Sequence, residues 1–386
     1  MVVVVVVLAG IQWFRPLPNP RFEAAASGSL RLPGSAPSFP WPTTGSAALA
    51  IPGPGVIAAH GTDTPLPISG LVKVMTAYQV LKDHPLPIGP TGPTIPVTSA
   101  VLAEYQNEVA TNQAVVPIAA GESLTEEQAL EGILVASGND IAVMLADWDA
   151  GSVQAFVTKM NTTATTLGMD ATHFVDPSGV DLGSVSTPAD LIRLAEAAMA
   201  IPVFRAMVAL PQTTLPLAGV VYNLDFALGR GGFVGIKTGA DPVAGGSFLF
   251  EARTTLDGTK VRILGAVLDQ RTASPTAAAV YDAYALVQAA FKDIAKLPVD
   301  HAIGRVVAPW GESVPLRASP TPELVGMPGE AVRVEVHVGK LFKTIPAGTA
   351  VGELTVLGPE GKVRVTVQTS RALNGPSVLW RLTRLS

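Results

Sequence analysis

Two groups of strand patterns, separated by a long block of helix patterns, constrain the fold of this chain most strongly. The first group is a hairpin-like pair at Ser46–Ile51 and Val56–His60, and the second comprises apolar segments at 235–239, 246–252 and 261–268. Groups this far apart can share one sheet only if the chain returns to it after the helices. We therefore predict an α+β fold, a sandwich of a helical block and a mostly antiparallel sheet that distant segments complete.

The helical block is predicted from apolar residues that recur at helical spacing. Thr125 and Gln128 have the spacing of a capping box, which marks the start of one helix. Residues 85–124 show no such pattern and are expected to be irregular. The predicted helices are Ser69–Leu81, Thr125–Ala136, Asp140–Ala146, Val153–Leu167, Pro188–Ala200 and Thr276–Ala295.

From about residue 300 onward, strand patterns replace helix patterns. Val332–Val338 alternates apolar and polar residues, as a half-buried strand does. Glu353–Leu357 and Lys362–Gln368 flank Gly358-Pro-Glu-Gly361, which is a hairpin signal. We predict that residues 300–386 form a small C-terminal all-β domain, with no helix longer than a turn and no catalytic residues.

The first 14 residues are predicted to be a membrane anchor. Residues 1–11 are continuously apolar, and Trp13, Phe14 and Arg15 are typical of the interfacial end of a transmembrane helix. The run is shorter than the ~20 residues that span a bilayer, and it lacks the positively charged start of a signal peptide. A buried strand is the alternative. Residues 15–44, rich in proline, serine and glycine, are predicted to be a linker that cannot fold by itself.

The composition excludes several classes of function. A net charge of −5 provides no basic surface for nucleic acid, which is not an expected partner. The chain has no cysteine, which excludes disulfides, thiolate metal sites and a cysteine nucleophile. No metal or other cofactor is predicted, because the histidines are scattered and form no ligand-like pair: His60, His84, His173, His301 and His337.

Three short motifs place reactive side chains at the ends of predicted elements. Lys73 lies in the first turns of a helix, where burial and a neighbouring cation can lower the pKa of a lysine until it acts as a base. Ser137 and Asn139 present a hydroxyl and an amide from one turn between helices. Lys237-Thr-Gly239 offers a cation and a hydroxyl suited to a carboxylate, and its glycine permits close approach of a substrate backbone. Each motif alone is weak evidence.

In their order and spacing, however, the motifs resemble the Ser-x-x-Lys, Ser-x-Asn and Lys-Thr-Gly set of penicillin-interacting serine enzymes. Residues 45–297 are similar to low-molecular-mass D-alanyl-D-alanine carboxypeptidases, notably at 67–81, 121–140, 173–179 and 235–246. The resemblance implies a penicillin-binding/β-lactamase-like transpeptidase fold. It also implies an enzyme outside the bacterial membrane or in the cell wall, which trims D-alanine from peptidoglycan stem peptides through an acyl-enzyme and is acylated by β-lactams.

The resemblance assigns a role to each motif residue. Lys73 is expected to activate the nucleophile. Ser137 and Asn139 are expected to relay protons and to hold the substrate amide. Lys237 and Thr238 are expected to hold the terminal carboxylate of the substrate.

The nucleophile itself does not match, because Gly70 stands where the family carries its serine. The N–H groups of Gly70 and Ala240 are still expected to form the oxyanion hole. Ser69 is a candidate substitute, but one residue along a helix is a rotation of ~100° and a rise of ~1.5 Å. A misplacement of about 1 Å can cost a hundredfold in rate. The other expected role of Ser69 is that of a helix N-cap.

We therefore expect an impaired or inactive carboxypeptidase site, with a non-catalytic peptidoglycan-binding cell-wall protein as the alternative. A class A β-lactamase shares the motif order, but it needs a deacylating glutamate after the second motif. Residues 168–185 contain no glutamate, and Asp170, Asp176 and Asp181 are expected to be turn residues. β-Lactamase activity is the least favoured alternative.

Overall fold

The computed structural model of the chain describes residues 9–25, 29–32, 34–52, 55–61, 63–298, 303–321, 323–358 and 361–384. The chain divides into two compact units. Residues 38–293 form the main unit, which contains all three motifs. Residues 1–37 and 294–386 together form the terminal unit.

A five-stranded antiparallel sheet forms one layer of the main unit. Its strands, in spatial order, are Phe233–Asp241, Gly245–Leu256, Thr259–Gln270, Ser46–Ile51 and Gly55–His60. Leu264 pairs with Ala50 and Leu268 with Ser46, so the hairpin at the start of the unit joins strands from its end. This confirms the predicted α+β fold and the completion of its sheet by distant segments.

Eight helices are described in the main unit: Val72–Asp83, Ser99–Ala110, Glu126–Leu134, Asn139–Ala150, Val153–Thr166, Pro188–Ala200, Pro202–Val208 and Pro275–Asp293. Pro188–Ala200 and Pro275–Asp293 pack directly on the sheet. Short antiparallel pairs link the remaining segments: Leu66–Pro67 with Val185–Ser186, Thr94–Pro96 with Ser123–Thr125, and Gln212–Leu215 with Gly219–Tyr222.

The helix Val72–Asp83, which carries Lys73, is buried on most of its surface. It continues from a single 3-10 turn at Ser69–Leu71. Nine of its twelve residues are buried. A helix that is apolar on nearly every side belongs in a core. Its lysine is therefore largely removed from solvent, and this loss of hydration acts on its charge.

Capping residues explain where several helices begin. The predicted capping box is present: the N–H of Gln128 donates to Thr125 Oγ1 at 3.2 Å, and the N–H of Thr125 donates to Gln128 Oε1 at 2.9 Å. Ser152 and Thr187 cap two further helices with their side-chain oxygens alone, which accept from the N–H groups of Ala155 and Asp190. These signals can be read from the sequence, and the predicted helices are observed with ends shifted by at most four residues.

Two helices differ from the prediction. Ser99–Ala110 lies in the segment that was expected to be irregular, and Pro202–Val208 follows directly after Pro188–Ala200. In the helix Ser99–Ala110, Val101 and Glu108 are the buried residues. Its buried face is therefore too sparse to produce a helical pattern of apolar residues in the sequence. Its start is set instead by a side-chain cap on the preceding turn.

The terminal unit contains a seven-stranded antiparallel sheet, in agreement with the strand patterns predicted near the C-terminus. Its strands, in spatial order, are Arg21–Ala24, Gly304–Val307, Ser313–Ser319, Gly361–Thr369, Ala350–Gly358, Ala331–Val338 and Ser29–Arg31. A separate pair joins Ala295–Pro298 to Glu323–Gly326. Residues 359–360 of the predicted hairpin turn lie outside the described residues.

Two features of this unit differ from the prediction. Val378–Thr383 is a helix of six residues where no helix longer than a turn was expected. Arg21–Ala24 and Ser29–Arg31, inside the predicted linker, are edge strands, so the prediction of a linker is wrong for them. An edge strand needs no core of its own, because the sheet that it joins supplies its hydrogen-bond partners.

The predicted membrane anchor is described only in part. Residues 9–14 are helical, and residues 1–8 lie outside the described part of the chain. Among the residues that are described, no helix combines the length and the apolar character needed to cross a membrane.

Candidate active site

The three motifs meet at one cavity of about 700 Å³ in the main unit. The first comes from the start of a buried helix, the second from a turn between two helices and the third from the edge strand of the sheet. The predicted site residues that line the cavity are Ser69, Gly70, Lys73, Ser137, Asn139, Thr238, Gly239 and Ala240. Lys237 is not among the lining residues.

The edge strand lies directly against the helix start. A Cβ atom on Gly239 would be 2.9 Å from Gly70 N and 3.3 Å from Leu71 N, which is too close for any side chain without movement. The N–H of Gly70 lies in the first turn, where N–H groups lack helical partners. The N–H of Gly70 is therefore beside the strand that contributes Ala240, as the predicted oxyanion hole requires.

Lys73 is 2% exposed, and two oxygen atoms accept hydrogen bonds from it. Its Nζ donates to Asn139 Oδ1 and to the carbonyl oxygen of Ser178, both at 2.6 Å. Burial lowers the pKa of Lys73 to about 8, although nearby carboxylates, Asp176 first among them, oppose that shift. A lysine with this pKa has a substantial neutral fraction in mildly alkaline solution and can act as a general base.

Ser137 and Asn139 form the second wall of the cavity. Ser137 has a φ of +63°, a left-handed conformation that is uncommon outside glycine and recurs at functional sites. Asn139 begins the helix Asn139–Ala150, and its N–H donates to the carbonyl of Ala114 at 2.8 Å. A Cβ atom on Gly70 would lie 3.6 Å from Ser137 Oγ, so this hydroxyl faces the expected position of the nucleophile.

Gly70 leaves room for a side chain that it does not have. The nearest atoms to a Cβ there would be Thr238 O at 3.4 Å and Gly239 Cα at 3.5 Å, which are ordinary contacts. Its backbone is not left-handed, since Gly70 is absent from the residues of positive φ in the described chain. The backbone at this position would therefore accept a serine, and glycine is not required by conformation.

Ser69 is not positioned as a substitute nucleophile. Its φ is +46°, it is 3% exposed, and its Oγ has no hydrogen-bond partner among the described residues. The predicted N-cap role is wrong, because Ile68 is at the N-cap and no side chain caps this turn. A Cβ on Gly179 would be 1.8 Å from the carbonyl oxygen of Ser69, so a neighbouring loop packs tightly on this residue.

Lys237 is buried, and its ammonium is not presented to the cavity. It is 2% exposed, and its Nζ donates to the carbonyl of Thr238 at 3.0 Å. Burial, and after it the charge of Lys73, lowers the pKa of Lys237 to about 7, while Asp225 acts in the opposite direction. The structure therefore does not show the predicted direct position for gripping a carboxylate. Thr238 and the two residues after it line the cavity instead.

A loop outside the three motifs forms another wall of the cavity, at Ser178–Val180. Asp176 holds this loop: its Oδ2 accepts from Ser178 Oγ and from the N–H of Gly179, both at 2.7 Å. Its Oδ1 accepts from Ser184 Oγ at 2.7 Å. These bonds fix the carbonyl of Ser178 that accepts from the motif lysine. The Asp-Pro-Ser-Gly sequence at 176–179 is the one local signal of this turn.

Eight other lining residues were not predicted as site residues: Thr111, Asn112, Gln113, Ala114, Leu224, Asp241, Pro242 and Thr276. Asp241 and Pro242 directly follow the third motif, whereas tertiary packing brings the others to the cavity from segments without a motif.

Two buried carboxyl groups lie near Lys73. Glu108 is 5% exposed and Asp140 is fully buried. Burial raises the pKa of Glu108 to about 8 and that of Asp140 to about 6. Asp140 Oδ1 accepts from the N–H of Val116 at 3.0 Å. This bond joins the helix Asn139–Ala150 to the segment that directly follows the cavity-lining residues 111–114.

Known proteins are similar to this chain over the region that contains the cavity. A model of the D-alanyl-D-alanine carboxypeptidase family matches residues 52–272. The D-alanyl-D-alanine carboxypeptidase DacB2 of Mycobacterium tuberculosis is 33% identical over 201 residues, which are 50% of this chain and 65% of that protein. The D-alanyl-D-alanine carboxypeptidase of Streptomyces sp. strain K15 is 31% identical over 208 residues, 49% of this chain and 69% of that protein. The chain thus spans about two thirds of the length of these two relatives.

Solved structures show the same fold. A mutant of the Streptomyces K15 DD-transpeptidase is 27% identical and covers 66% of this chain and 99% of its own, with a TM-score of 0.56. Penicillin binding protein 5 from Haemophilus influenzae is 18% identical and covers 88% of this chain, with a TM-score of 0.62, and it supports the fold alone. The predicted penicillin-binding protein fold is confirmed. With a family model matched over more than half of its length, the chain belongs to the D-alanyl-D-alanine carboxypeptidase family.

Proposed function

We propose that this protein binds the D-alanyl-D-alanine end of peptidoglycan stem peptides in the cavity, as a serine-type carboxypeptidase whose covalent step is impaired or lost. The observation that carries the proposal is Gly70. It lines the cavity and faces Ser137 Oγ, and it has space for a side chain but no oxygen to attack a substrate. The other motif residues are present around it.

The edge strand supports binding of an extended peptide. Phe233–Asp241 is the outermost strand of the described sheet and pairs with Gly245–Leu256 on one side. An extended peptide can add to such an edge through main-chain hydrogen bonds. Asn139 supports the same pose, because its Oδ1 accepts from Lys73 and its amide NH₂ group remains available for a substrate carbonyl.

Electrostatics favours a peptide that ends in a carboxylate. The charge of Lys73 is one reason why the pKa of Lys237 is lowered. A carboxylate bound at Thr238 would offset this repulsion and favour the charged lysine. Lys237 would then act on the carboxylate through its charge, while the hydroxyl and the backbone of the strand make the direct contacts.

The covalent step lacks its nucleophile. Glycine has no side-chain oxygen, and the hydroxyl of Ser69 lies in a strained, buried turn without a base as its partner. Removal of the nucleophile from a serine protease leaves only the residual catalysis of substrate binding and the oxyanion hole. Penicillins are therefore expected to bind without forming a covalent adduct.

Labelling with a fluorescent penicillin, combined with calorimetry, tests this proposal. We expect no covalent label on the wild-type protein and a stoichiometric label on Gly70→Ser. In calorimetry, wild type should bind a synthetic peptide ending in D-Ala-D-Ala and not its L-Ala-L-Ala counterpart. Wild-type labelling that disappears in Ser69→Ala would identify Ser69 as the nucleophile. A failure of Gly70→Ser to become labelled, together with absence of peptide binding, would refute the proposal.

The second candidate is a non-catalytic peptidoglycan-binding cell-wall protein, which the same missing oxygen at Gly70 favours. It differs from the first in having no turnover at all. β-Lactamase activity has less support, because the loop at 176–184 offers no glutamate and the carboxylate of Asp176 is occupied by hydrogen bonds within the loop. A location outside the membrane, with attachment through the N-terminal residues, stays a prediction that cell fractionation can check.

A further inference from the structure

We propose that a water molecule takes the position of the missing serine hydroxyl and attacks the substrate carbonyl directly, so that the protein hydrolyses D-alanyl-D-alanine peptides in one step without an acyl-enzyme. The inference rests on the proposed function, because it needs the peptide bound in the same cavity. It adds a nucleophile and a reaction route that the motif residues of this family do not themselves specify.

The space beside Gly70 suits one water molecule. A Cβ atom there would meet nothing closer than 3.4 Å, and its nearest neighbours are Thr238 O, Gly239 Cα and Ser137 Oγ. A hydroxymethyl side chain and a water molecule are similar in size, with water occupying about 30 Å³ in the liquid. An ordered water needs about two to four polar partners. Two of the three neighbours here are oxygen atoms, and the motif lysine lines the same cavity.

The two hydrogen bonds of Lys73 leave one position free on its nitrogen. Nζ already donates to Asn139 Oδ1 and to the carbonyl of Ser178. A neutral amine has two N–H donors and one lone pair, so those two bonds use both donors. The lone pair then remains to accept a proton. Because burial lowers the pKa of Lys73 to about 8, the neutral form is accessible under mild conditions.

The reaction can be written with balanced atoms and protons. The water oxygen bonds to the carbonyl carbon, and one of its protons passes to Lys73 Nζ. The N–H groups of Gly70 and Ala240 stabilise the oxyanion of the tetrahedral intermediate. The C–N bond then breaks, and the leaving amine receives the proton from Lys73 through the hydroxyl of Ser137. The products are the shortened peptide and free D-alanine.

A one-step route has properties that an acyl-enzyme route lacks. No covalent intermediate exists, so an added amine acceptor such as glycine cannot divert the product. Because the base must be neutral, the rate should rise with pH and level off above about pH 8. Penicillin should inhibit only by occupying the cavity, and dilution should reverse the inhibition.

Gly70→Ala is the decisive variant. Its methyl group fits the backbone without a contact shorter than 3.4 Å, but it occupies the place of the proposed water. A general base contributes ~10²–10⁴-fold to a rate, so we expect hydrolysis to fall by at least about tenfold. The dissociation constant of the peptide should stay within about threefold, which is about 0.7 kcal/mol in binding. Gly70→Ser is the matched control, because it supplies the oxygen covalently and should gain penicillin labelling.

The measurement is release of D-alanine from the synthetic peptide by the full chain, with and without glycine as acceptor. We expect slow release that glycine does not divert and that Gly70→Ala reduces. Release by wild type no faster than by Gly70→Ala, with peptide binding intact in both, would overturn this inference and leave the proposed function standing. Release that requires the Ser69 hydroxyl, or that proceeds through a covalent adduct, would also overturn it. Loss of peptide binding in wild type itself would instead refute the proposed function.

Discussion

The strand side and the helix side of the cavity differ in the side chains that they contribute. On the strand side, Thr238, Gly239 and Ala240 line the cavity without Lys237, and the contact of Gly239 with the helix start admits no side chain. On the helix side, Gly70 has no side chain, and Lys73, the proposed base, donates to Asn139 and to the carbonyl of Ser178. Tight packing fixes the positions of both sides. The shape of such a site therefore does not depend on the reactive atom, since neighbouring segments enforce that shape independently.

The largest expected effect concerns the base on the helix side. In the Gly70→Ser background, Lys73→Met should slow acylation by penicillin by ~10²–10⁴-fold, because the hydroxyl loses its proton acceptor. The measurement is the rate of covalent labelling, with circular dichroism to show that the variant is folded. Lys82→Met, at an exposed position of the same helix, is the control and should label normally. Normal labelling of Lys73→Met would show that this lysine is not the base.

The next effect concerns the loop that supports this lysine. Asp176→Ala removes the acceptor for Ser178, Gly179 and Ser184, and hydrogen bonds to charged groups contribute ~1.5–3 kcal/mol. We expect a loss of about 3 kcal/mol in the free energy of unfolding, together with weaker peptide binding. Asp181→Ala is the matched control, because that exposed carboxylate accepts from Gly183 N–H alone and should cost less than about 1 kcal/mol. Similar losses in both variants would contradict the supporting role of the loop.

A pair of alanine substitutions compares the two sides directly. Gly239→Ala places a methyl group 2.9 Å from the backbone of the helix start, whereas Gly70→Ala meets nothing closer than 3.4 Å. Overpacking of this kind typically costs ~1–3 kcal/mol, and we expect that loss for Gly239→Ala and less than about 0.5 kcal/mol for Gly70→Ala. Denaturant unfolding of both variants gives the comparison. Equal losses would mean that the strand and the helix start are not held in the described contact.

The smallest effect is a dependence of stability on pH. The pKa of Glu108 is raised from 4.5 to about 8 by burial, so the folded state binds this proton more tightly than the unfolded state does. The contribution of this proton to the stability of the folded state is complete below the ordinary pKa of 4.5 and is lost as the pH rises through about 8. Glu108→Gln keeps a neutral side chain at every pH. The variant should therefore gain melting temperature relative to wild type between about pH 5 and about pH 9.

The control for this prediction is Glu335→Gln, which changes an exposed glutamate in the terminal unit. It should leave the pH dependence of the melting temperature as it is in wild type. If wild type and Glu108→Gln responded to pH identically, the buried carboxyl would not be the source of the effect.

Much of the fold could be predicted because its signals are local. The capping box at Thr125 and the apolar segments of the sheet are each contained in a short window of sequence. Ser99–Ala110 escaped prediction because only Val101 and Glu108 are buried in it. The strand Arg21–Ala24 could not be predicted, since its partner Gly304–Val307 lies in a remote part of the chain.

In the site, too, some features could be predicted from the sequence and others depend on tertiary packing. The motif residues were expected to meet, because their order and spacing match a known family, and all of them except Lys237 line one cavity. The burial of Lys237 and the left-handed backbone of Ser69 depend on tertiary packing, such as the contact of Gly179 with the carbonyl of Ser69. No window of sequence contains that contact.

The seven-stranded sheet has a consequence for the order in which the protein is made. Glu23 on its first strand receives hydrogen bonds from Arg305, 282 residues later in the chain. At ~5–20 residues per second, a ribosome needs on the order of tens of seconds to make the missing partner. Residues 38–293 are complete before that partner emerges, and contacts between distant residues form slowly. The first strands synthesised are therefore among the last to be paired.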